Sequence, residues 1–448
     1  MKRKLLLINP ISSWKANSKI IFKPFQPLNL AIIAALTPDH WEVEIFDEIL
    51  EPFSYREADL VGITSYTSSA YRAYQIAEIY NSRGTPVVMG GIHVSQVPEE
   101  ALRYVNSVVI GEAEGVWSKV ISDFESNQLQ EIYRGELLPM AGFPFPRRDL
   151  LSSRYMMASI QTTRGCPMDC EFCTISAMYG KKYRKRPVEE VLDELEAIPD
   201  RRVFFVDDNL IEKGEGSKER ALSLFKGMID RNIKKVWGCQ TSINVAEDEE
   251  VLYYASKSGC RLMLLGIESE KESSLENLGK KTNVKKLNSY NEIFKLIHKY
   301  NIAINGTMIF GIDSDNVEDL YRRVRFINKS RIDAVQPTIL TPFPGTKIYE
   351  RFRDNNRLLF TDYPEDWSRY DWLDVVYKPL RMEREELKEA MVKCWISLGR
   401  WSTLILKFIK TLFCTRNLIS AVAAFNINNV YRTQYFEAIK KIKKGNNK

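Results

Sequence analysis

Arg164-Gly165-Cys166-Pro167-Met168-Asp169-Cys170-Glu171-Phe172-Cys173 spaces three cysteines as CxxxCxxC directly behind an apolar run near 155–163. Thiolates are the protein ligands of iron–sulfur clusters, and cysteines this close on one loop can converge on a single cubane. Three ligands for four irons leave one iron open, where a molecule carrying an amine and a carboxylate can chelate. A structural zinc site asks for four ligands, and no fourth partner lies close by. Seven cysteines in 448 residues, three of them within eight positions, are too few and too uneven for a disulfide framework. The expectation is a metal site in a reducing compartment.

Downstream of this motif, apolar β-branched runs alternate with helical patterns. Strands are expected near 155–163, 203–207, 235–241, 261–267, 303–309 and 332–340, with helices near 188–198, 217–231, 248–258, 285–300 and 315–328. Six β/α units predict a partial or complete (β/α)6 barrel of the TIM type, with its chemistry at the carboxyl ends of the strands. Upstream, residues 1–130 show the same alternation: strands near 3–8, 42–46, 59–64, 86–89 and 107–110, and helices near 27–37, 70–83 and 114–125. This predicts an α/β, Rossmann-like doubly wound domain that binds its ligand beyond the strand ends. Those ends read Asn9-Pro10, Thr64-Ser65-Tyr66, Gly90-Gly91-Ile92-His93 and Gly111-Glu112. Residues 131–153, with Pro139, Pro144 and Pro146, read as a linker between the first domain and a barrel spanning 154–345.

Residues 346–448 form a mainly helical C-terminal region: aromatic-rich irregular sequence, an amphipathic helix near 383–399, then an apolar stretch from Trp401 to Phe436 interrupted by Lys407, Lys410, Arg416 and Arg432. No run reaches the roughly 20 apolar residues that span a bilayer. A helical cap on the barrel and an interfacial helix in peripheral contact with a membrane both fit this composition. At the other terminus, Met1-Lys2-Arg3-Lys4 followed by Leu5-Leu6-Leu7-Ile8 has the order of a signal peptide, but Asn9-Pro10 ends the apolar run too early. A buried first strand in a cytoplasmic protein is expected. The formal charge of +6 is concentrated at the C-terminus, where residues 437–448 hold five lysines against Glu437. A general affinity for nucleic acid is therefore not expected.

The CxxxCxxC spacing resembles the radical S-adenosylmethionine (SAM) superfamily, and the resemblance runs through residues 155–345. In that family an aromatic residue at the position of Phe172 packs near the adenine. Gly266-Ile267-Glu268-Ser269 matches the segment that contacts the ribose and methionine parts of SAM. Asp207, in Phe205-Val206-Asp207-Asp208-Asn209, and Gln240 end the second and third strands where relatives direct polar groups at the site. Thr341-Pro342-Phe343-Pro344-Gly345-Thr346 matches a segment that helps close the barrel. The resemblance implies a [4Fe–4S] cluster on Cys166, Cys170 and Cys173, reductive cleavage of SAM to a 5′-deoxyadenosyl radical, and an electron donor such as flavodoxin or ferredoxin.

A doubly wound domain ahead of this barrel resembles the cobalamin-binding, methyltransferase-like (class B) subfamily. The residues that carry it are Asn9, Pro10, Thr64, Ser65, Gly90, Gly91, His93, Gly111 and Glu112, with the turns around them. One departure is the absence of Asp-x-His-x-x-Gly after the first strand, where the chain reads Asn9-Pro10-Ile11-Ser12-Ser13-Trp14. With only His40, His93 and His298 in the chain, no histidine is expected on the lower face of cobalt. His93 is expected either to hydrogen-bond corrin side chains or to be a structural strand-end histidine. Cys239, Cys260, Cys394 and Cys414 are expected as core thiols.

What the subfamily implies first is methylation of an unactivated carbon in a small or lipophilic biosynthetic intermediate. A ring-forming or rearranging enzyme, similar to the anaerobic cyclase of bacteriochlorophyll biosynthesis, needs the same cofactors and is the alternative. The methylthiotransferase relatives that modify transfer RNA carry additional N-terminal cysteines, whereas residues 1–165 here contain none. The basic run Lys181-Lys182-Tyr183-Arg184-Lys185-Arg186 is accordingly expected as a solvated or anion-facing loop. A non-catalytic cobalamin sensor would have no use for an open-coordination cysteine motif.

Overall fold

The computed structural model describes residues 2–12, 25–212, 214 and 216–445. Ser13, Trp14 and Lys448 lie outside the described residues. The first sheet is built from β1 (Arg3–Asn9), β2 (Trp41–Asp47), β3 (Leu60–Thr64), β4 (Val87–Gly90), β5 (Ser107–Ile110) and β6 (Ile132–Arg134), all parallel in the order β2-β1-β3-β4-β5-β6. In β1, Leu6 and Ile8 pack into the main core while Leu5 and Leu7 pack into a second cluster. Because strand side chains alternate in direction, a continuous apolar run here means that both faces are covered. Chain direction across the sheet reverses between β1 and β3, the switch point at which such sheets open a ligand crevice. The segment 131–153, expected as irregular, begins with β6, whose Ile132 and Tyr133 pair with Val108 and Val109.

The second sheet comprises β7 (Ala158–Ile160), β10 (Arg202–Phe205), β11 (Val236–Thr241), β12 (Cys260–Glu268), β13 (Ala303–Phe310) and β14 (Ala334–Ile339), six parallel strands in the order β14-β13-β12-β11-β10-β7. This is the partial (β/α)6 barrel. Its first strand is shorter than the apolar run suggested. After Ile160 the chain turns, and β8 (Thr163–Arg164) pairs antiparallel with β9 (Arg184–Lys185), so that a separate hairpin frames the cysteine loop.

The C-terminal region is helical over Arg384–Leu398, Trp401–Thr415 and Leu418–Gly445. Within the last of these, Ala424 packs with Leu262, Ala303 and Ala334 at the starts of β12, β13 and β14. Asn428 accepts from the Val335 amide at 3.2 Å and donates to the Asp333 carbonyl at 2.8 Å. The helix therefore covers the amino-terminal end of the barrel and leaves the carboxyl end for chemistry. Among the described residues no helix is long and apolar enough to cross a membrane.

Candidate active site between the two domains

The cysteine loop starts at Gly165, whose φ of +82° suits glycine alone; a Cβ there would stand 2.3 Å from the Lys182 carbonyl oxygen. The Cys166 amide donates to the Gly180 carbonyl (3.4 Å), the Glu171 amide to Leu278 (3.1 Å), and the Ile348 amide to Glu171 (3.1 Å). The loop is thus held by the hairpin, by the segment after β12 and by the segment after β14. Lys347 and Lys181 both pair with Asp169 on its outer side, at 2.6 and 3.0 Å. Cys166, Cys170 and Cys173 carry free thiols; Cys166 feels the charge of Cys170, and Cys173 that of both others. Burial pushes Cys166 up to about 11 and Cys173 up to about 12. Unligated they stay protonated at neutral pH; a cationic cluster is what would hold them as thiolates. Three thiols sharing one pocket, with no disulfide between them, fit the three-cysteine iron–sulfur set.

Beside the cysteines, β12 ends in a bulge between Gly266 and Glu268, and Glu268 adopts φ +63°. A non-glycine residue in this region stores strain that the surroundings must impose. Glu268 is buried, accepting from Thr307 Oγ1 at 2.9 Å and pairing with Lys280 Nζ at 3.1 Å. Lys280 also lies 6.0 Å from the centre of the Phe172 ring. Despite burial, Glu268 together with Cys170 and Cys173 drives the Lys280 pKa upward, so the ammonium persists. Cation, carboxylate and aromatic ring stand side by side next to the thiols. These are the groups that an amino-acid carboxylate, a ribose and an adenine require. Among the described residues, buried polar atoms at the ends of the next strands, Asp207 Oδ2, Asp208 Oδ2, Ser242 Oγ and Asn244 Oδ1, have no hydrogen-bond partner, so a ligand could meet them. Burial, then the charge of Asp207, raises the Asp208 carboxyl to about 7.

Three residues expected to touch SAM also make hydrogen bonds within the protein. Asp207 turns its Oδ1 to Thr162 N, Thr162 Oγ1 and Thr163 Oγ1 at 2.9, 2.9 and 2.6 Å, fixing the turn that launches the cysteine loop. Ser269 accepts from Arg323 Nη2 at 2.9 Å, inside a buried network with Asp315 and Glu270. Gln240 donates to the Asp207 carbonyl at 3.4 Å and braces the same strand ends. Phe172, Gly266 and Glu268 remain together at the cysteines. Lys280 and Asp208 escaped the sequence reading. Their signals were a cation after Gly279, which turns at φ +70°, and the second carboxylate of an Asp-Asp pair.

On the N-terminal side the carboxyl strand ends face this site. Glu112 accepts from both terminal nitrogens of Arg184, one at 2.9 Å, and pairs with Arg164 at 3.3 Å; Arg164 also holds Glu114 at 2.6 Å. These buried ion pairs clamp the hairpin of the cysteine loop to the first domain. Gly91 has φ +107°, and a Cβ there would lie 2.8 Å from Ser65 backbone atoms, so the turns Thr64–Tyr66 and Gly90–His93 close-pack. Thr64 accepts from Asn29 Nδ2 at 2.8 Å, Asn9 donates to Asp47 at 3.0 Å, and the Gly111 amide donates to Ser95 at 3.0 Å. Tyr66 keeps 59% of its surface open. It stands at the cleft expected where the strand order switches, within electrostatic reach of Tyr179, which in turn feels Arg164 and Asp208. A cofactor would be held here, between the first sheet and the cysteine loop.

His93 does not face that cleft. It is buried with Nε2 3.5 Å from Glu100, edge-on to Trp367 at 5.1 Å. Trp367 Nε1 donates to the same carboxylate at 2.9 Å. Of the two roles expected for His93, the packing matches the structural one, in a seam between the first domain and the C-terminal region. His40 pairs with Glu125, and His298 with Asp333 at 2.7 Å. All three histidines are thus engaged away from the cleft, which suits a cobalamin without a histidine on its lower face. The small turns 64–66 and 90–91 and the open ring of Tyr66 are the residues present to hold it, and they fit a large planar ligand approaching the backbone.

Comparison with known proteins bears on this two-domain arrangement. Residues 160–327 match the Radical SAM superfamily and residues 22–121 the B12 binding domain. The chain is 32% identical over 410 residues to the bacteriochlorophyllide d C-12(1)-methyltransferase of Chlorobaculum tepidum, covering 88% of this chain and 86% of that protein. The chain belongs to the cobalamin-binding radical SAM methyltransferase family. Such an enzyme uses a [4Fe–4S] cluster, SAM and cobalamin. This radical SAM enzyme is also 28% identical over 363 residues to the hopanoid C-2 methylase of Rhodopseudomonas palustris, covering 78% of this chain and 67% of that one. Among solved structures, TsrM from Kitasatospora setae with cobalamin and a [4Fe–4S] cluster superposes with a TM-score of 0.62 at 19% identity, over 87% of this chain and 84% of that one. OxsB with aqua-cobalamin superposes at 0.67 and 13% identity, over 98% and 80%. At these identities the two structures speak for the fold.

Proposed function

We propose that this enzyme methylates an unactivated carbon of a lipophilic biosynthetic intermediate. The observation that carries the proposal is the clamp of Glu112 and Glu114 on Arg164 and Arg184, which brings the cleft beside Tyr66 up to the loop of Cys166, Cys170 and Cys173. When bound, the cluster and SAM supply a carbon-centred radical and cobalamin supplies a transferable methyl group. The chain's own work is positioning and exclusion of water. Lys280 offers its ammonium to a carboxylate, Glu268 offers an acceptor to ribose hydroxyls, and Phe172 offers a ring face to the adenine. The helix Leu418–Gly445 closes the far end of the barrel, so substrate enters at the carboxyl end of the strands. Relatives that act on bacteriochlorophyllides and on hopanoids support a lipophilic substrate, and a small electron carrier such as flavodoxin or ferredoxin is the proposed reductant.

The test is an anaerobic reaction of the reconstituted enzyme with SAM bearing a deuterated methyl group and a panel of tetrapyrrole and hopanoid substrates. A product carrying the labelled methyl supports the reading. Turnover that consumes SAM and yields a cyclised or rearranged product without the label refutes methyl transfer.

A further inference from the structure

The helix Trp401–Thr415 is inside out. Its buried residues are Leu404, Lys407, Thr411 and Thr415. Lys407 donates to the carbonyls of Ile327 and Ile332 at 3.2 and 2.6 Å, and Thr411 donates to Asp333 at 2.7 Å. The outward face carries Trp401, Ile405, Ile409 and Phe413 at four-residue spacing, with Leu406 beside them. Leu418 on the following helix extends the same surface, and Phe413, Leu406 and Leu418 are 76, 67 and 60% exposed. Trp401 packs on Phe425 and Arg432 of the following helix, whereas core packing does not account for Ile405, Leu406, Ile409, Phe413 and Leu418, because the core takes the polar face. A contiguous exposed apolar surface on this scale marks a contact with something else.

Charge identifies the occupant. From Ala390 to Phe436 the sequence contains no Asp or Glu but six cations, Lys393, Arg400, Lys407, Lys410, Arg416 and Arg432. Lys393, Arg400 and Arg416 are exposed, the last two at the ends of the helix. Pairing this face with a second copy would bring cations toward cations, whereas an anionic lipid surface takes both the apolar side chains and the charges. We infer that the hairpin of Trp401–Thr415 and the start of Leu418–Gly445 docks the enzyme on an anionic membrane surface, lying in the interface rather than crossing it.

The geometry suits such docking. Asn301 Nδ2 donates to the Thr415 carbonyl at 2.6 Å and Ser420 donates to the Asn301 carbonyl at 2.6 Å, which fixes the hairpin to the amino-terminal end of β13. The site at the opposite ends of the strands stays uncovered. This inference stands independently of the substrate reading.

The test is flotation of the full-length, anaerobically purified protein with phosphatidylcholine vesicles, alone and doped with phosphatidylglycerol, alongside sedimentation velocity without lipid. Binding to the doped vesicles at least about fivefold tighter than to the neutral ones is expected. The double variant Leu406→Gln/Phe413→Gln, with unchanged iron content and circular dichroism, lowers that binding by about tenfold or more. Arg400→Gln/Arg416→Gln retains the apolar face and loses the preference for the anionic lipid. The inference is overturned if the wild type does not float, or if both variants float as it does. It is likewise overturned if vesicles are ignored while the wild type sediments as a dimer that the Leu406/Phe413 variant dissolves, since the face then belongs to a second copy.

Discussion

Glu112→Ala strikes the clamp between the two domains. The carboxylate is 3% exposed and the two guanidinium groups it holds, Arg164 and Arg184, are each 7% exposed. Removing one partner of a buried ion pair costs about 3–5 kcal/mol, because the remaining charge is left desolvated. Arg184 keeps the Leu138 carbonyl at 2.7 Å, and Arg164 keeps Glu114 at 2.6 Å and Gln161 at 2.9 Å. These survivors place the cost near the lower limit, about 3 kcal/mol. Glu114→Gln, which leaves Arg164 with Glu112, should cost about 1–2 kcal/mol. Urea unfolding followed by tryptophan fluorescence, read at the first transition because two domains need not unfold together, compares the pair. Since both arginines frame the cysteine loop, iron per chain should fall in Glu112→Ala and persist in Glu114→Gln. If Glu112→Ala unfolds within about 1 kcal/mol of wild type and keeps its iron, the clamp does not have the role assigned to it.

Three further outcomes test other parts of the site. Cys170→Ala should lower the iron content of the reconstituted protein from about four per chain to near none, as measured by iron and sulfide assay; retention of a full cluster would refute the ligand assignment. Lys280→Met should keep the iron but weaken SAM binding by roughly 10- to 100-fold, the worth of one charged hydrogen bond, and unchanged affinity in equilibrium binding would remove Lys280 from the SAM site. Burial lowers the His93 pKa below its ordinary 6.5, so below that pH the unfolded chain binds a proton that the folded chain refuses. Stability from this group is therefore complete above about pH 6.5 and lost as pH falls toward the folded-state pKa. His93→Phe, which keeps a ring against Trp367, should flatten that slope in urea titrations, and an unchanged slope would show that His93 is not its source.

The proposed iron ligands were legible because their chemistry is local: three thiols within eight residues need no knowledge of the fold. Phe172, Gly266 and Glu268 were legible for a related reason, since they lie on the loop or at a strand end whose position the alternation already marks. Asp207, Ser269 and His93 sit at such positions too, yet Asp207 gives its Oδ1 to Thr162 and Thr163 while its Oδ2 has no partner among the described residues, Ser269 accepts from Arg323, and His93 faces Glu100. A strand-end location brings a side chain to the rim without deciding whether a ligand or a neighbour satisfies it. Lys280 reaches the site from a turn beyond a short helix, Glu272–Asn277, and only the fold shows that this turn comes back onto the cysteine loop.

The sequence by itself determined two parallel α/β series in order, the three clustered thiols, and which strand ends face them. Period-two burial and ligand identity are properties of near neighbours in the chain. Tertiary structure alone decided that Arg184 meets Glu112 across 72 residues, and that Trp401–Thr415 turns its polar face inward. Both are choices of desolvation. A buried guanidinium or ammonium takes whichever carboxylate or carbonyl the packing brings within reach, and a helix buries the face that satisfies those groups even when its apolar residues are left outside.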